Sequence, residues 1–169
     1  MAEPAHEYVE HRVPPAMVPA PSAAPGFSWA GLAGRIVLTL AGAAGLIIGA
    51  FMDWTRGIAG IDLNDRAFYQ TTFRASGAFW ATVGFASIVL GLLAIVGLAG
   101  RSGWLTRLAG ALGIAGFVLM VIEVYRANLN IGDVDVGAWV ALAGAVVAMI
   151  GGFLGTRTAV VASAPPAIP

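Results

Sequence analysis

Four apolar blocks, Trp29 to Met52, Gly77 to Ala99, Trp104 to Tyr125 and Val136 to Gly155, constrain this chain more than any other feature. A bilayer's hydrocarbon core is about 30 Å thick and an α-helix rises about 1.5 Å per residue, so roughly 20 residues span it. Every block reaches that length. None contains proline, because all nine prolines precede Phe27 or follow Ala164, and a helix through any block meets no breaker. The competing reading, four buried helices of a soluble protein, needs a polar coat that the chain does not carry. Only 11% of residues are charged and 59% are hydrophobic, with a mean hydropathy of +0.84, whereas soluble domains carry about 25% charged residues. The expected fold class is an all-α membrane protein, a four-transmembrane-helix bundle with a small outer loop or flap. Residues 29–155 form the expected transmembrane domain, and the Pro/Ala-rich segments 1–28 and 156–169 are expected to be disordered tails.

Aromatic residues give an independent reading of the boundaries. Trp29, Trp54, Trp80, Trp104 and Trp139 all fall within a few residues of a block end, where amphipathic rings anchor a helix at headgroup level. The first block is too long for a signal peptide, and it follows a tail carrying Glu3, Glu7 and Glu10, so it is expected to stay in the mature protein.

The chain also resembles itself. "LTLAGAAG" at 38–45 matches "LTRLAGALG" at 105–113 with one inserted residue, "GAFW" at 77 matches "GAW" at 137, and "GLAGR" closing block two matches "GFLGTR" closing block four. Asp53-Trp54-Thr55-Arg56 has a counterpart in Glu123-Val124-Tyr125-Arg126. The expected unit is a duplicated helical hairpin, with a pseudo-twofold axis along the membrane normal. In each copy an acid precedes an arginine by three residues, so Asp53 with Arg56 and Glu123 with Arg126 are read as helix-end ion pairs. Small-residue ladders, Ala41-Gly45-Gly49 and Gly144-Ala148-Gly152, are read as helix-packing faces that let backbones approach closely. Arg35, two turns inside block one, is read as snorkelling back to the interface beside Trp29.

Little in the sequence points to chemistry. Cysteine is absent, which removes disulfides, iron–sulfur clusters and thiolate metal sites. His6 and His11, the only histidines, sit in the N-terminal tail, so no imidazole lies in the blocks to hold haem or zinc or to serve a nucleophile. Phosphate-loop, dinucleotide and nucleophile-elbow motifs are absent, and Gly45 to Gly49 is a packing motif in this context. No catalytic residue, cofactor or metal is therefore assigned. Asp62, Asn64 and Asp65 in one loop and Asp133 and Asp135 in the other are the candidate oxygen ligands for calcium. Their spacing lacks the glycine and terminal glutamate of an EF-hand loop, and they are read as solvated. "GIDLN" and "FYQTTF" alternate like short strands, which suggests a two-stranded flap over the outer face.

Zero net charge with no lysine gives no nucleic-acid footprint. The expected partners are the lipid bilayer and other membrane proteins or a second copy of the chain. Arginine counting is nearly balanced: Arg12, Arg35, Arg101, Arg107 and Arg157 lie on the side of the termini, and Arg56, Arg66, Arg74 and Arg126 on the other. The pair around the short link between blocks two and three favours a multi-pass protein of the cell membrane with both termini cytoplasmic.

Phe51-Met52-Asp53-Trp54, an aromatic-flanked exit from the first span into an outer loop, resembles the small four-helix membrane proteins abundant in high-GC Gram-positive bacteria, most of them uncharacterised. The resemblance implies a tetraspan fold and names no activity. Claudin-like tetraspans share a long first loop in outline, but this chain lacks their paired loop cysteines and Gly-Leu-Trp signature. The expected function is that of a non-catalytic accessory or scaffolding subunit of a membrane assembly, with a small oligomeric transporter or channel component as the alternative.

Overall fold

The computed structural model describes residues 29–154, with side chains from Gly31 onward. The tails expected at 1–28 and 156–169, and with them the Trp29 side chain, lie outside the described residues. Four α-helices dominate: α1 (Trp29–Phe51), α2 (Val83–Ala99), α3 (Gly103–Arg126) and α4 (Val136–Phe153). By length and composition α1, α3 and α4 suffice to cross a membrane, whereas α2 is apolar but has 17 residues, about 25 Å of helix. Each helix packs against two ring neighbours, α1 and α3 both contacting α2 and α4. The large side chains left outside the ring are mostly apolar, among them Val37, Ile48, Val96 and Leu119, as a lipid-facing surface requires.

The second helix begins at Val83, six residues later than the expected start at Gly77, because those residues are spent on capping. Ala78 is extended, Phe79–Ala81 form one 3-10 turn, and the Thr82 hydroxyl accepts the Phe85 N–H at 3.1 Å as an N-cap. Block four likewise ends as a helix at Phe153.

The tightest seam joins α1 to α4. A Cβ on Gly45 would lie 2.8 Å from the Gly144 Cα, one on Gly144 2.6 Å from the Leu46 N, and one on Gly49 2.8 Å from the Ala141 N. Gly42 abuts the Ala148 backbone in the same way. The face on α1 is thus Gly42-Gly45-Gly49, not the expected Ala41-Gly45-Gly49; Ala41 is exposed. Neighbouring residues on a helix differ by about 100°, so the ladder with a step of four and the ladder with a step of three then four share two members and diverge at the third. On α4 the expected Gly144, Ala148 and Gly152 are all buried, but Gly152 turns to α3, where a Cβ would meet the Arg107 Cγ at 2.8 Å.

Helix lengths repeat across the chain, 23 and 17 residues in the first half against 24 and 18 in the second. The glycines aligned by the internal repeat do not occupy related seams, however. Gly42 and Gly110 both face α4, whereas a twofold axis exchanging the hairpins would turn Gly110 toward α2.

Candidate functional site

The most organised polar region of the described residues is the cap formed by the first loop, residues 52–82, and the α3–α4 connection. It starts where α1 stops. Two short antiparallel strands, β1 (Asp53–Thr55) and β2 (Ile58–Ala59), are joined by Arg56 and Gly57, whose φ values are +52° and +71°. Positive φ at both central residues matches the strand twist of a tight hairpin, and glycine supplies one at no steric cost. This hairpin, not "GIDLN" paired with "FYQTTF", is the flap. Leu63 and Asn64 make only isolated bridges, to Ala75 and Thr82, and Asp65–Phe68 is a 3-10 turn.

The hairpin removes Asp53 and Arg56 from any helical i,i+3 relation. Both are exposed, and the ion pair found among the described residues is the other one, Glu123 Oε1 to Arg126 Nη1 at 2.9 Å. Glu123 is buried and Arg126 exposed, so the pair lets a carboxylate at a helix end reach solvent charge.

Trp54 departs furthest from expectation. It is 4% exposed, and its indole Nε1 donates to the Gly49 carbonyl at 2.7 Å. This bond joins the Met52 N–H, which donates to the same carbonyl at 3.2 Å in the last turn of α1, with Gly60 pressed against the ring so closely that a Cβ there would fall 2.6 Å from Nε1. Trp54 is a core residue beneath the cap, not an interface anchor. Trp80, Trp104 and Trp139 are exposed, and Trp139 also stacks obliquely on Phe117 with ring centroids 5.0 Å apart.

Two sets of bonds fasten the cap. Toward the α3–α4 connection, the Trp54 carbonyl accepts the Asp135 N–H at 2.8 Å, the Thr55 hydroxyl donates to the Asp133 carbonyl at 2.8 Å, and the Asp135 carboxylate accepts the Gly57 N–H at 3.0 Å. Toward α2, the Val83 N–H donates to Leu63 O at 2.9 Å and the Gly84 N–H to Gly60 O at 2.7 Å. Three of the five candidate calcium ligands are engaged in these turns. Asn64 Oδ1 accepts the Arg66 N–H, Asp133 Oδ2 accepts the Asn130 N–H, and Asp135 binds Gly57. Among the described residues no three His, Cys, Asp or Glu side chains cluster to hold a metal ion. Only Asp135, directly ahead of the Val136 block, and Gly57, directly after Asp53-Trp54-Thr55-Arg56, carry a sequence signal for this clamp, as a helix N-cap and a turn.

Two hollows flank the cap. On its surface, Arg56, Arg74, Thr71 and Thr72 line a depression of about 280 Å³ with Phe73 and Leu129 at its edge. It presents two guanidinium groups and no carboxylate. Beneath the cap, an apolar cavity of about 120 Å³ lies between the helices, lined by Trp54 and Phe68 of the first loop and by residues of all four helices, among them Leu46, Leu90, Phe117 and Leu142. Ser87 is among its lining residues, and that hydroxyl is already spent on the Leu46 carbonyl at 2.8 Å. Such a mostly apolar cavity offers water few hydrogen bonds.

No protein-family model matches the sequence, and no curated protein or solved structure matches it.

Proposed function

We propose that the chain is a non-catalytic tetraspan of the cell membrane, an accessory or scaffolding subunit that engages its partner through the cap. All four helices cross the bilayer in this reading, α2 completing its span through the 3-10 turn and the exposed Trp80 that precede it. Both termini are cytoplasmic and the cap faces outward.

One observation carries the reading: the small-residue faces are consumed within the bundle. Gly42, Gly45, Gly49 and Gly144 meet backbone across α1–α4, and Gly110 meets the Ala145 carbonyl across α3–α4. A partner helix cannot use them as well. Ser87 and Thr106 spend their interior hydroxyls on the Leu46 and Ala94 carbonyls, and the described residues hold no string of polar side chains for a solute path of the kind transporters keep near the midplane. The remaining shaped polar surface is the cap, with its hollow of two arginines.

Affinity purification in mild detergent tests this. A stoichiometric partner should co-purify with the full chain and be lost from Arg56→Glu/Arg74→Glu, whose charge reversal leaves the bundle untouched. A homo-oligomer that conducts ions in liposomes would sink the proposal and favour a channel component. For the topology, Ser22→Cys and Gln70→Cys should label from opposite sides of intact cells, Gln70→Cys from outside.

A further inference from the structure

Arg35 is enclosed by protein instead of standing free at the helix end. It is 6% exposed, and its Nε and Nη2 atoms are buried with no hydrogen-bond partner. Thr39, one helical turn deeper on the same face of α1, is fully buried and its hydroxyl is likewise unpartnered. It abuts α4, where a Cβ on Gly151 would lie 2.8 Å from Thr39 Oγ1. A guanidinium stays charged under all ordinary conditions. Leaving it buried and unpaired costs several kcal/mol, and buried polar atoms in native proteins find partners.

The described residues hold no such partner near Arg35. Every acid among them, Asp53, Asp62, Asp65, Glu123, Asp133 and Asp135, lies in or beside the cap, at the opposite end of the bundle. The end that carries Arg35 also carries Arg101 and Arg107. Arg35 sits six residues into α1, about 9 Å along the axis, and helical side chains lean back toward the N-terminus. This places the guanidinium near the depth of lipid phosphates and esters. Its planar fork of N–H donors matches an oxyanion with two oxygens.

We propose that Arg35 is the anchor of a phosphate site, filled by the phosphate of a lipid headgroup, with the Thr39 hydroxyl as a second donor reached directly or through one water. The site lies at the far end of the bundle from the cap and does not depend on the cap's role.

The test titrates delipidated full-length protein in detergent with dioleoyl phosphatidylglycerol, with dioleoylglycerol, which lacks the phosphate, and with inorganic phosphate. Native mass spectrometry and thermal unfolding by circular dichroism are the readouts. Phosphatidylglycerol should form a one-to-one adduct and raise the melting temperature, and dioleoylglycerol should do neither. Arg35→Met should weaken the adduct about tenfold or more, as loss of a charge-assisted pair does. Arg35→Lys should fall between, and Arg101→Met, an exposed change at the same end, should match wild type. If Arg35→Met does not fold, the neutral Thr39→Val carries the test, with an expected loss of about threefold for one hydrogen bond. Stabilisation of wild type by millimolar inorganic phosphate to the same extent as by lipid would assign the site to free phosphate. Phosphatidylglycerol binding within twofold of wild type in both variants would overturn the proposal. It would equally fall if Glu3→Gln/Glu7→Gln/Glu10→Gln destabilised wild type but not Arg35→Met while lipid had no effect, because the counter-charge would then come from the chain itself.

Discussion

The α1–α4 and α2–α3 seams solve one packing problem in opposite ways. Between α1 and α4 the helices touch through glycine, backbone on backbone, with Cβ positions at Gly45, Gly49 and Gly144 already filled by the neighbour. Between α2 and α3 close contact is confined to the end near the short link, where Gly97 meets the Thr106 N and the Thr106 hydroxyl reaches the Ala94 carbonyl at 3.4 Å. Toward the cap this second seam opens, and Phe68 from the first loop wedges in beside the apolar cavity, where a Cβ on Gly116 would lie 3.4 Å from its ring. In lipid, helix association rests on dispersion and shape, not on escape from water. A seam without small residues along its whole length therefore needs a filler from elsewhere.

The contrast is sharpest under substitution. Gly144→Leu drives a branched side chain into the α1 backbone and should cost about 3 kcal/mol, read as a lower detergent-unfolding midpoint and loss of a monodisperse peak. Gly116→Ala, at the open seam, should stay within about 0.5 kcal/mol, since its neighbour is the tip of a ring that can shift. Equal losses at the two sites would erase the distinction. Phe68→Ala should cost about 2 kcal/mol by merging the wedge's volume with the cavity, measured in the same unfolding assay. Trp54→Phe keeps the ring but abandons the Gly49 carbonyl, for an expected loss of about 1.5 kcal/mol. Ala86→Leu, on the cavity wall, should be the mildest change, stabilising by about 0.5 kcal/mol if the void takes the added carbons. A comparable destabilisation would show the wall to be rigid.

How much of this was legible in the chain differs between bundle and cap. Helices announce themselves by length and by the absence of proline, and α1, α3 and α4 fall within two residues of the sequence boundaries. The start of α2 was hidden because Gly77-Ala78-Phe79-Trp80 is as apolar as a helix interior, and only Thr82 carries a capping signal. Trp54 was misplaced for a related reason. Proximity to a helix end predicts headgroup depth, but the indole N–H is equally suited to a carbonyl in the last helical turn, and only the folded cap decides between them. Acid-x-x-Arg was read as one motif in two places. It became an ion pair where the helix continues through Glu123 and a hairpin where Phe51 ends α1. Arg35 is the reverse case: a long side chain near a helix end normally escapes to water, and its burial is visible only in the folded chain.

Trp54 is shielded and bonded while Trp80 and Trp104 are open to their surroundings, which gives the molecule a built-in optical reporter. Its emission should lie to the blue of the other indoles and resist collisional quenchers added to the aqueous phase. Loosening of the hairpin by a docking partner would then register as a red shift, without any label.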